Sequence, residues 1–448
     1  MLRVGIIFVT LPKIMTIMKY FFSFVSALLL FASCSSNDGN SDTPTTGQRT
    51  VVVYMSGENR LSKVVQEDID EMITGAKNLS DDNRLVIFVD RASTKEKPFL
   101  ARIDMNSTKT RLDTLYTYPA DFYASSADNF REVLQRATSY CPAKEYGLVL
   151  WGHASGWLIE NDSIPATANA PGRRAYGVDN GNNDPSTDVG KWMNIPTMRA
   201  ALQALGIKFQ FIFADCCNMM CIENAYELRN VTNYMIGAPS EIPGLGAPYN
   251  ELVPAFFKSG SSLYTGIINS YYETYIDYYN LNTSISVQNV GEEKLSGYSV
   301  PLSVINTQYL SDLAKQTKAI IDKLGPTYTY PNAFELDNMP HYLAYKGRVM
   351  YDMKAFINKF ASEADYTAWL KAYNQAVPLY RPSLKWMTIY SNLYYSFSSF
   401  NQDESVWGCV SMFVPQNDTN YTAGTYAYNK NATKLEWNRT MGWSNYGW

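Results

Sequence analysis

The chain of 448 residues contains only two histidines, His153 and His341, so any imidazole chemistry must use one of them. Three of its cysteines, Cys216, Cys217 and Cys221, lie close together in the sequence. A thiol is mostly protonated at neutral pH, and a nearby imidazole can remove its proton and later protonate a leaving amine. A histidine beside one of these thiols would therefore form the nucleophile–base pair of a cysteine hydrolase.

The elements that would position these residues are apolar strands. Short apolar runs alternate with amphipathic helices between residues 50 and 238, which predicts an α/β fold with a mostly parallel sheet covered on both faces. His153 follows the run 147–151, and Cys217 lies just after the run 209–214. Because ligands bind at the carboxyl ends of parallel strands, we expect both side chains at one edge of the sheet.

A predicted helix over residues 219–229 follows Cys217, and its dipole would favour the thiolate form. Taken singly, a loop histidine and buried cysteines are more often structural than catalytic. Their placement at two strand ends leaves the structural and the catalytic interpretations both open at this point.

Two sequence motifs resemble those of the clostripain family of cysteine peptidases. Residues 151–157 read Trp-Gly-His-Ala-Ser-Gly-Trp, which is similar to the family's histidine motif Trp-x-His-Gly-Ser-Gly-Trp. Residues 215–228 begin Asp-Cys-Cys-Asn-Met and end Glu-Asn-Ala-Tyr-Glu-Leu, which is similar to its cysteine motif. Aligning that last stretch places Cys217 on the family's nucleophile and Cys216 on an alanine. The resemblance runs from about residue 49 to residue 256.

The resemblance implies a caspase-like α/β/α sandwich in which His153 and Cys217 form a catalytic dyad that needs no cofactor. Backbone N–H groups of Cys217 and Ala154 would stabilise the oxyanion. Ala154 replaces a family glycine, which a backbone donor tolerates if its φ is negative. His341 lies in no matching motif, and we expect it to be structural.

Specificity is where the sequence departs from the family, whose members cleave after basic residues by means of acidic side chains in the pocket. Asp215 is retained, but Leu245 stands where such members tend to carry aspartate. Because an unpaired buried charge is costly, we expect a weakened preference for Arg and Lys. Another acid in the pocket, such as Glu241, would restore that preference.

The long polar loop between the two motifs carries two further expectations. Arg173 and Arg174 mark a possible processing site, where self-cleavage would be slow if the pocket no longer selects basic residues. The family is also associated with calcium, and residues 179–184 offer oxygen ligands. Their spacing fits no defined calcium loop, so a solvated loop is the favoured interpretation and no metal site is assigned.

The first 34 residues predict an export signal. From Met18, the inferred initiator, a lysine precedes an apolar run over 20–32 that leads to Cys34. The run is shorter than the ~20 residues of a membrane-spanning helix and resembles a bacterial lipobox, which implies acylation of Cys34. An ordinary signal peptide with an incidental Cys34 stays open. We expect an exported bacterial lipoprotein in the periplasm, the outer membrane or the cell surface.

The remaining chain divides into three predicted regions. Residues 35–48 contain no hydrophobic side chain and predict a flexible tether. Residues 49–260 predict the peptidase domain. Residues 261–448, in which Tyr-rich helices precede strands, predict a C-terminal α+β region packed on that domain.

Composition limits the partners and leaves alternatives to an endopeptidase. A net charge of −4 and a pI near 5.5 make nucleic acid a poor partner, so protein or peptide substrates are expected, with the membrane contacted through the lipid. The 34 tyrosines and 9 tryptophans would also suit a non-catalytic peptide- or glycan-binding lipoprotein. An inactive relative stays open. A serine hydrolase using Ser155 is disfavoured because the nucleophile-elbow spacing is missing.

Overall fold

The structure is a computed structural model that describes residues 45–104, 111–120, 122–159, 175–181, 183–188, 190–281, 285–287, 291–293, 296–343, 347–388, 393–396, 400, 403–423 and 427–448. The predicted lipid site Cys34 and the predicted processing site at Arg173 and Arg174 lie outside these residues. Residues 44–448 form one compact unit.

Nine strands form the main sheet. Their bounds are β1 Gly47–Gly57, β2 Asn83–Arg91, β3 Phe99–Asp104, β4 Arg111–Thr117, β5 Ala143–Gly152, β8 Phe209–Asp215, β9 Thr232–Gly237, β12 Leu302–Asn306 and β14 Leu379–Arg381. Their order in the sheet is β14-β12-β9-β8-β5-β1-β2-β3-β4. The central five, β9, β8, β5, β1 and β2, are parallel, and the outer pairs at both edges are antiparallel. The five parallel strands therefore present their carboxyl ends along one edge.

Small two-stranded sheets complete the strand inventory of the described residues. They pair β6 Tyr176–Asp179 with β7 Lys191–Met193, β10 Ile285–Val287 with β11 Gly291–Glu293, β13 Tyr351–Asp352 with β17 Ser411–Met412, and β15 Lys385–Thr388 with β16 Leu393–Ser396. Strand β6 also approaches the end of β5 through a bridge between Ala154 and Tyr176.

Helices cover both faces of the sheet. Their bounds are α1 Val65–Ala76, α2 Ala127–Tyr140, α3 Ile195–Gln203, α4 Ile222–Leu228, α5 Tyr249–Phe256, α6 Ser261–Leu281, α7 Leu310–Leu324, α8 Met353–Phe360, α9 Glu363–Ala376, α10 Thr419–Thr422, α11 Tyr428–Ala432 and α12 Glu436–Met441. Helices α2, α3, α4 and α7 pack on one face, and α1, α5 and α6 pack on the other.

The alternation of side chains along β1 explains this arrangement. Val52 and Tyr54 enter one hydrophobic cluster, while Val51, Val53 and Met55 enter the cluster on the opposite face. Successive strand side chains point to opposite faces, so a continuous apolar run is required when both faces are covered. The predicted α/β fold with a helix layer on each side is confirmed.

Several predicted element bounds differ from the structure. Strand β1 begins at Gly47, two residues inside the predicted tether. The helix predicted over 219–229 begins only at Ile222, because residues 218–220 instead pair by backbone hydrogen bonds with residues 238–240. The predicted strand over 407–414 is a strand only at Ser411–Met412.

The chain beyond residue 260 contributes to the same sheet. Strands β12 and β14 extend its β9 edge, and helix α7 packs on one face. The division at residue 260 stays a prediction about domains. No helix among the described residues combines the length and the apolar character needed to cross a membrane.

Candidate active site

Two neighbouring parallel strands, β5 and β8, present the residues that the sequence singled out. Trp151 of β5 pairs in register with Asp215 of β8. His153 and Cys217 each follow two residues later, and both line one cleft of about 280 Å³. The structure therefore brings the single candidate base and one of the clustered thiols to the same cavity.

Asp188 lies next to the imidazole of His153. Its Oδ1 lies 3.1 Å from His153 Nε2 and also accepts a hydrogen bond of 3.2 Å from the backbone N–H of Arg60. Burial raises the pKa of Asp188, but the hydrogen bond and charge of His153, with the contacts from Arg60, lower it below its ordinary value overall. Asp188 is therefore an anion suited to orient the imidazole.

Cys217 is the half-buried thiol of the five described free cysteines, and the other four are buried. Its Sγ accepts a long hydrogen bond of 3.5 Å from the backbone N–H of Ile242. Burial, followed by the charge of Glu241, raises the pKa of Cys217 to about 12. The expectation of a helix-stabilised thiolate was wrong, because helix α4 begins at Ile222 and not next to the thiol. The resting thiol is protonated and needs a base.

The backbone next to Cys217 and His153 has a defined conformation. Asn218 follows Cys217 with a φ of 61°, a left-handed conformation that asparagine tolerates. Ala154 is not among the described residues with positive φ, so its replacement of a glycine causes no strain. Its bridge to β6 uses the carbonyl of His153 and the N–H of Ser155, and leaves the N–H of Ala154 outside the bridge.

Asp215 lines the cleft, and its buried carboxylate is held by hydrogen-bond donors. Its carboxylate accepts hydrogen bonds from the N–H of Ala247 (3.2 Å) and from the hydroxyls of Tyr249 (2.8 Å) and Tyr271 (3.3 Å). Burial nevertheless raises its pKa to about 6. Three donors orient the carboxylate without supplying a positive charge.

A second acid, Asp68 of helix α1, lies beside Asp215 and was missed from the sequence. An ideal Cβ on Gly246 would lie 3.1 Å from an Asp215 carboxylate oxygen and 3.5 Å from one of Asp68, so both acids approach this cleft-lining glycine. The indole N–H of Trp151 donates to Asp68. Burial, and then the charge of Asp215, raises the pKa of Asp68 to about 8. Asp68 and Asp215 together are called the cleft pair.

Leu245 is not the pocket wall that the sequence suggested. Its side chain is 47% exposed, while its neighbours Gly244 and Gly246 line the cleft. The turn closed by the hydrogen bond from Gly246 N to Pro243 O directs Leu245 away from the cavity. Glu241 does line the cleft, as the alternative interpretation required.

The remaining candidates lie outside the cleft lining. His341 is buried, with its Nδ1 2.9 Å from the carbonyl oxygen of Met339, and burial lowers its pKa to about 4. Ser155 is buried as well. Neither residue is among those that line the cleft.

Comparisons with known proteins identify the family and the fold. A model of the clostripain family matches residues 53–448. A secreted C11 cysteine protease from Bacteroides thetaiotaomicron, solved with an irreversible peptide inhibitor, is 28% identical with a TM-score of 0.71, and the match covers 89% of this chain and 100% of that chain. An inactive zymogen C11 protease from Parabacteroides distasonis is 23% identical with a TM-score of 0.68, covering 89% and 99%. No curated protein matches the chain.

Proposed function

The chain belongs to the clostripain family of cysteine proteases, and on that premise we propose that Cys217 and His153 are its catalytic dyad in peptide-bond hydrolysis. The observation that carries the proposal is their equivalent placement. Each lies two residues beyond a registered pair on adjacent parallel strands, and both line the same cleft.

Because the pKa of Cys217 is raised, the thiol needs His153 as a base. A thiol with a pKa of about 12 is almost entirely protonated at pH 7, so the proton must leave as the sulfur attacks. In the proposed reaction the imidazole takes the thiol proton, and the sulfur bonds to the scissile carbonyl carbon. The imidazolium then protonates the departing amine, and water hydrolyses the resulting thioester.

Asp188 is proposed as a positioning residue for this proton transfer. Its carboxylate faces Nε2 of His153 at 3.1 Å, which leaves Nδ1 as the nitrogen available to the thiol and the leaving amine. An anion at that place also stabilises the imidazolium that forms during attack.

Backbone groups are proposed to stabilise the developing oxyanion. The N–H of Ala154 is outside the bridge to β6, and the N–H of Cys217 belongs to a turn fixed by the bond from Asn218 N to Ser240 O. Preorganised donors of this kind require no reorganisation when the charge develops.

The cleft pair supports a preference for Arg or Lys before the scissile bond, which revises the expectation based on Leu245. Two buried carboxylates lie close to the cleft-lining Gly246, and their donors are neutral. A substrate guanidinium or ammonium would supply the missing positive charge. The processing site at Arg173 and Arg174 then suits self-cleavage.

We propose that the enzyme acts outside the cytoplasm. The signal that begins at Met18 and ends before Cys34 supports export with a lipid anchor. The similar Bacteroides thetaiotaomicron protease is described as secreted and carries a peptide inhibitor, which supports export and peptide substrates here.

The dyad is tested by comparing three variants on a peptide substrate with arginine before the scissile bond. Cys217→Ala and His153→Ala should each lower kcat by at least ~10³-fold, because nucleophile and base act as a unit. Cys216→Ser, a change at the adjacent buried thiol, is the matched control and should retain most activity. An inactive Cys216→Ser enzyme with an active Cys217→Ala enzyme would show that the register is wrong.

A further inference from the structure

A second cavity, called the side pocket, adjoins the cleft. Residues 241–243 line both cavities and therefore form a shared wall between them. Beyond this wall, five residues of the chain after residue 260 complete the described lining: Tyr279, Tyr298, Ser299, Val300 and Trp386. None of these five lines the cleft. The side pocket is thus a separate cavity that meets the cleft along one short segment.

The order of the strands in the sheet sets the order of these parts. Strands β5, β8, β9, β12 and β14 are successive neighbours. His153 follows β5, Cys217 follows β8 and the shared wall follows β9. These three strands are parallel, so the base, the thiol and the wall lie in that order along one edge of the sheet.

The side pocket continues this row beyond the shared wall. Strand β12 is antiparallel to β9 and begins beside its carboxyl end, where Ser303 pairs with Gly237. Strand β14 is antiparallel to β12 and ends at the same edge, where Arg381 pairs with Leu302. The pocket residues that precede β12 and follow β14 therefore lie on the far side of the wall from His153.

The dyad gives a bound substrate a direction along this row. His153 must protonate the leaving amine, so the chain after the scissile bond lies on the His153 side. The chain before that bond stays attached to Cys217 in the acyl-enzyme and extends the other way, over the shared wall. The residues that precede the scissile bond are therefore the ones that reach the side pocket.

The width of the wall indicates which of these residues enters the side pocket. Three residues span at most about 8 Å, since consecutive Cα atoms are about 3.8 Å apart. Successive side chains of an extended peptide point to opposite sides. An arginine or lysine side chain that enters the cleft on one side of the wall thus places the preceding side chain on the other side.

The lining favours a small apolar side chain. Aromatic rings and Val300 form most of it, and the hydroxyl of Ser299 donates to the carbonyl of Tyr272 (2.7 Å). The volume of about 30 Å³ holds roughly two or three water-sized groups, which suits the isopropyl group of valine and excludes an indole. Glu241 in the shared wall disfavours an acidic side chain because like charges repel.

Aromatic packing holds these walls in place. The ring centroid of Trp386 lies 4.6 Å from that of Trp407 and 6.0 Å from that of Phe400. Tyr298 packs edge-to-face on Tyr279 with ring centroids 5.8 Å apart. Both Tyr298 and Trp386 are buried. A densely packed wall cannot yield to a larger side chain without strain, so the side pocket should discriminate by size.

We propose that the side pocket binds the side chain of the residue directly before the substrate's basic residue and selects a small aliphatic group such as that of valine. This specificity rests on the proposed function, because the dyad and the cleft pair set the direction and register of the substrate. It assigns a role to the chain beyond residue 260, whose residues form the side pocket beyond the shared wall.

Hydrolysis of matched peptides by the purified full chain tests this selection. The peptides differ only in the residue before arginine, which is valine, leucine, glycine, aspartate or tryptophan. The kcat/KM for the valine peptide should exceed those for the glycine, aspartate and tryptophan peptides by at least about tenfold. Equal values for valine and tryptophan, or stronger selection at the next residue back in a second series, would overturn the assignment.

Val300→Ala enlarges the side pocket and should change which peptide is preferred. The ratio of kcat/KM for leucine to that for valine should rise about tenfold, because the removed methyl groups leave room for the longer side chain. Val304→Ala is the matched control, since Val304 is buried in the same hydrophobic cluster and lines neither cavity. Both variants should lose thermal stability, and only Val300→Ala should change the ratio. The same ratio in Val300→Ala and wild type would overturn the role of this wall.

Binding of uncleaved peptides separates the side pocket from the dyad. With Cys217→Ala, fluorescence anisotropy should show tighter binding of the labelled valine–arginine peptide than of the glycine–arginine peptide. That preference with no hydrolysis by wild type would count against the dyad and support the side pocket. Hydrolysis by wild type with no selection at the residue before arginine would overturn the side pocket and leave the dyad in place.

Discussion

Two groups of buried acids lie near neighbouring strand ends, and they differ in what compensates their charge. In the cleft pair, Asp215 accepts three hydrogen bonds and Asp68 accepts one from Trp151. The second group, Glu58, Asp90 and Asp179, is called the acidic cluster, and one carboxylate oxygen from each lies within 4.8 Å of those of the other two. In it, Asp179 accepts hydrogen bonds from the N–H groups of Ala124 and Gly181. The cleft pair approaches a glycine that lines the cleft, whereas none of the three acids of the acidic cluster is among the cleft-lining residues.

The difference indicates that only the cleft pair is placed to meet a substrate side chain. Neutral donors keep the cleft pair oriented in the absence of a ligand, which suits a site that must release a charged side chain after each turnover. The acids of the acidic cluster lie close to one another, and burial with the neighbouring charges raises the pKa of both Asp90 and Asp179, which favours a retained proton. Buried carboxylates need a compensating charge or proton, and in the cleft pair we propose that the substrate supplies it.

The largest expected effect comes from removing one charge of the cleft pair. Asp215→Asn should lower kcat/KM for an arginine peptide by about 10²- to 10³-fold, because the substrate cation loses a buried ionic partner. The matched glutamine peptide should lose far less. Leu245→Ala is the control, and the ratio of the two substrates should stay unchanged because Leu245 points to solvent. If Leu245→Ala changes the ratio of the two substrates and Asp215→Asn does not, the turn that contains Leu245 determines the specificity.

A smaller effect is expected from Asp188, which touches the base and not the substrate. Asp188→Asn should lower kcat about 10- to 100-fold with KM within about twofold, because the imidazole loses its orienting anion. Steady-state kinetics on the arginine peptide separate the two parameters. A rise in KM with unchanged kcat would make Asp188 a substrate-binding residue instead.

The pH dependence of stability distinguishes Asp68 from an ordinary surface acid. Its pKa rises from 3.8 to about 8 on folding, so between these values the folded state binds more protons and the free energy of unfolding falls as pH rises. Asp68→Asn removes this loss. Its Tm relative to wild type should increase from pH 5 to pH 8. A difference that stays constant over this range would show that Asp68 is already ionised at pH 5 in the folded protein.

The smallest effect is expected from Glu241, a further acid of the cleft, whose charge acts on the thiol of Cys217. Its charge contributes to the raised pKa of Cys217, so Glu241→Gln should increase the thiolate fraction. Alkylation by iodoacetamide at pH 8 should become roughly three- to tenfold faster. Slower alkylation would instead place Glu241 as a group that activates the thiol.

The central strands and the sheet edge on which His153 and Cys217 meet could be predicted from the sequence. Continuous apolar runs identified the parallel strands, and ligands gather at strand ends in such sheets. The start of α4 could not be predicted, because the pairing of residues 218–220 with 238–240 joins segments that are distant in sequence.

The sequence contains a signal that identifies Asp68 as a buried acid. Asp68 lies within the apolar stripe of α1, between Val65 and Met72 and beside Ile69. A charged side chain is rarely buried on such a face unless it has a partner. Asp188 gave no comparable signal, because a loop without periodicity brings it to His153. Leu245 was misplaced because alignment fixes a position in a turn but not the direction of its side chain.

Labelling with a thiol-reactive peptide that ends in arginine tests the central claim most directly. The reagent requires both a nucleophile in the cleft and a pocket for a cation, and mass spectrometry identifies the modified residue. We predict a single adduct on Cys217, formed much faster than with the matched glutamine reagent and slowed by Asp215→Asn. An adduct on Cys216 or Cys221, or equal rates for the two reagents, would contradict it.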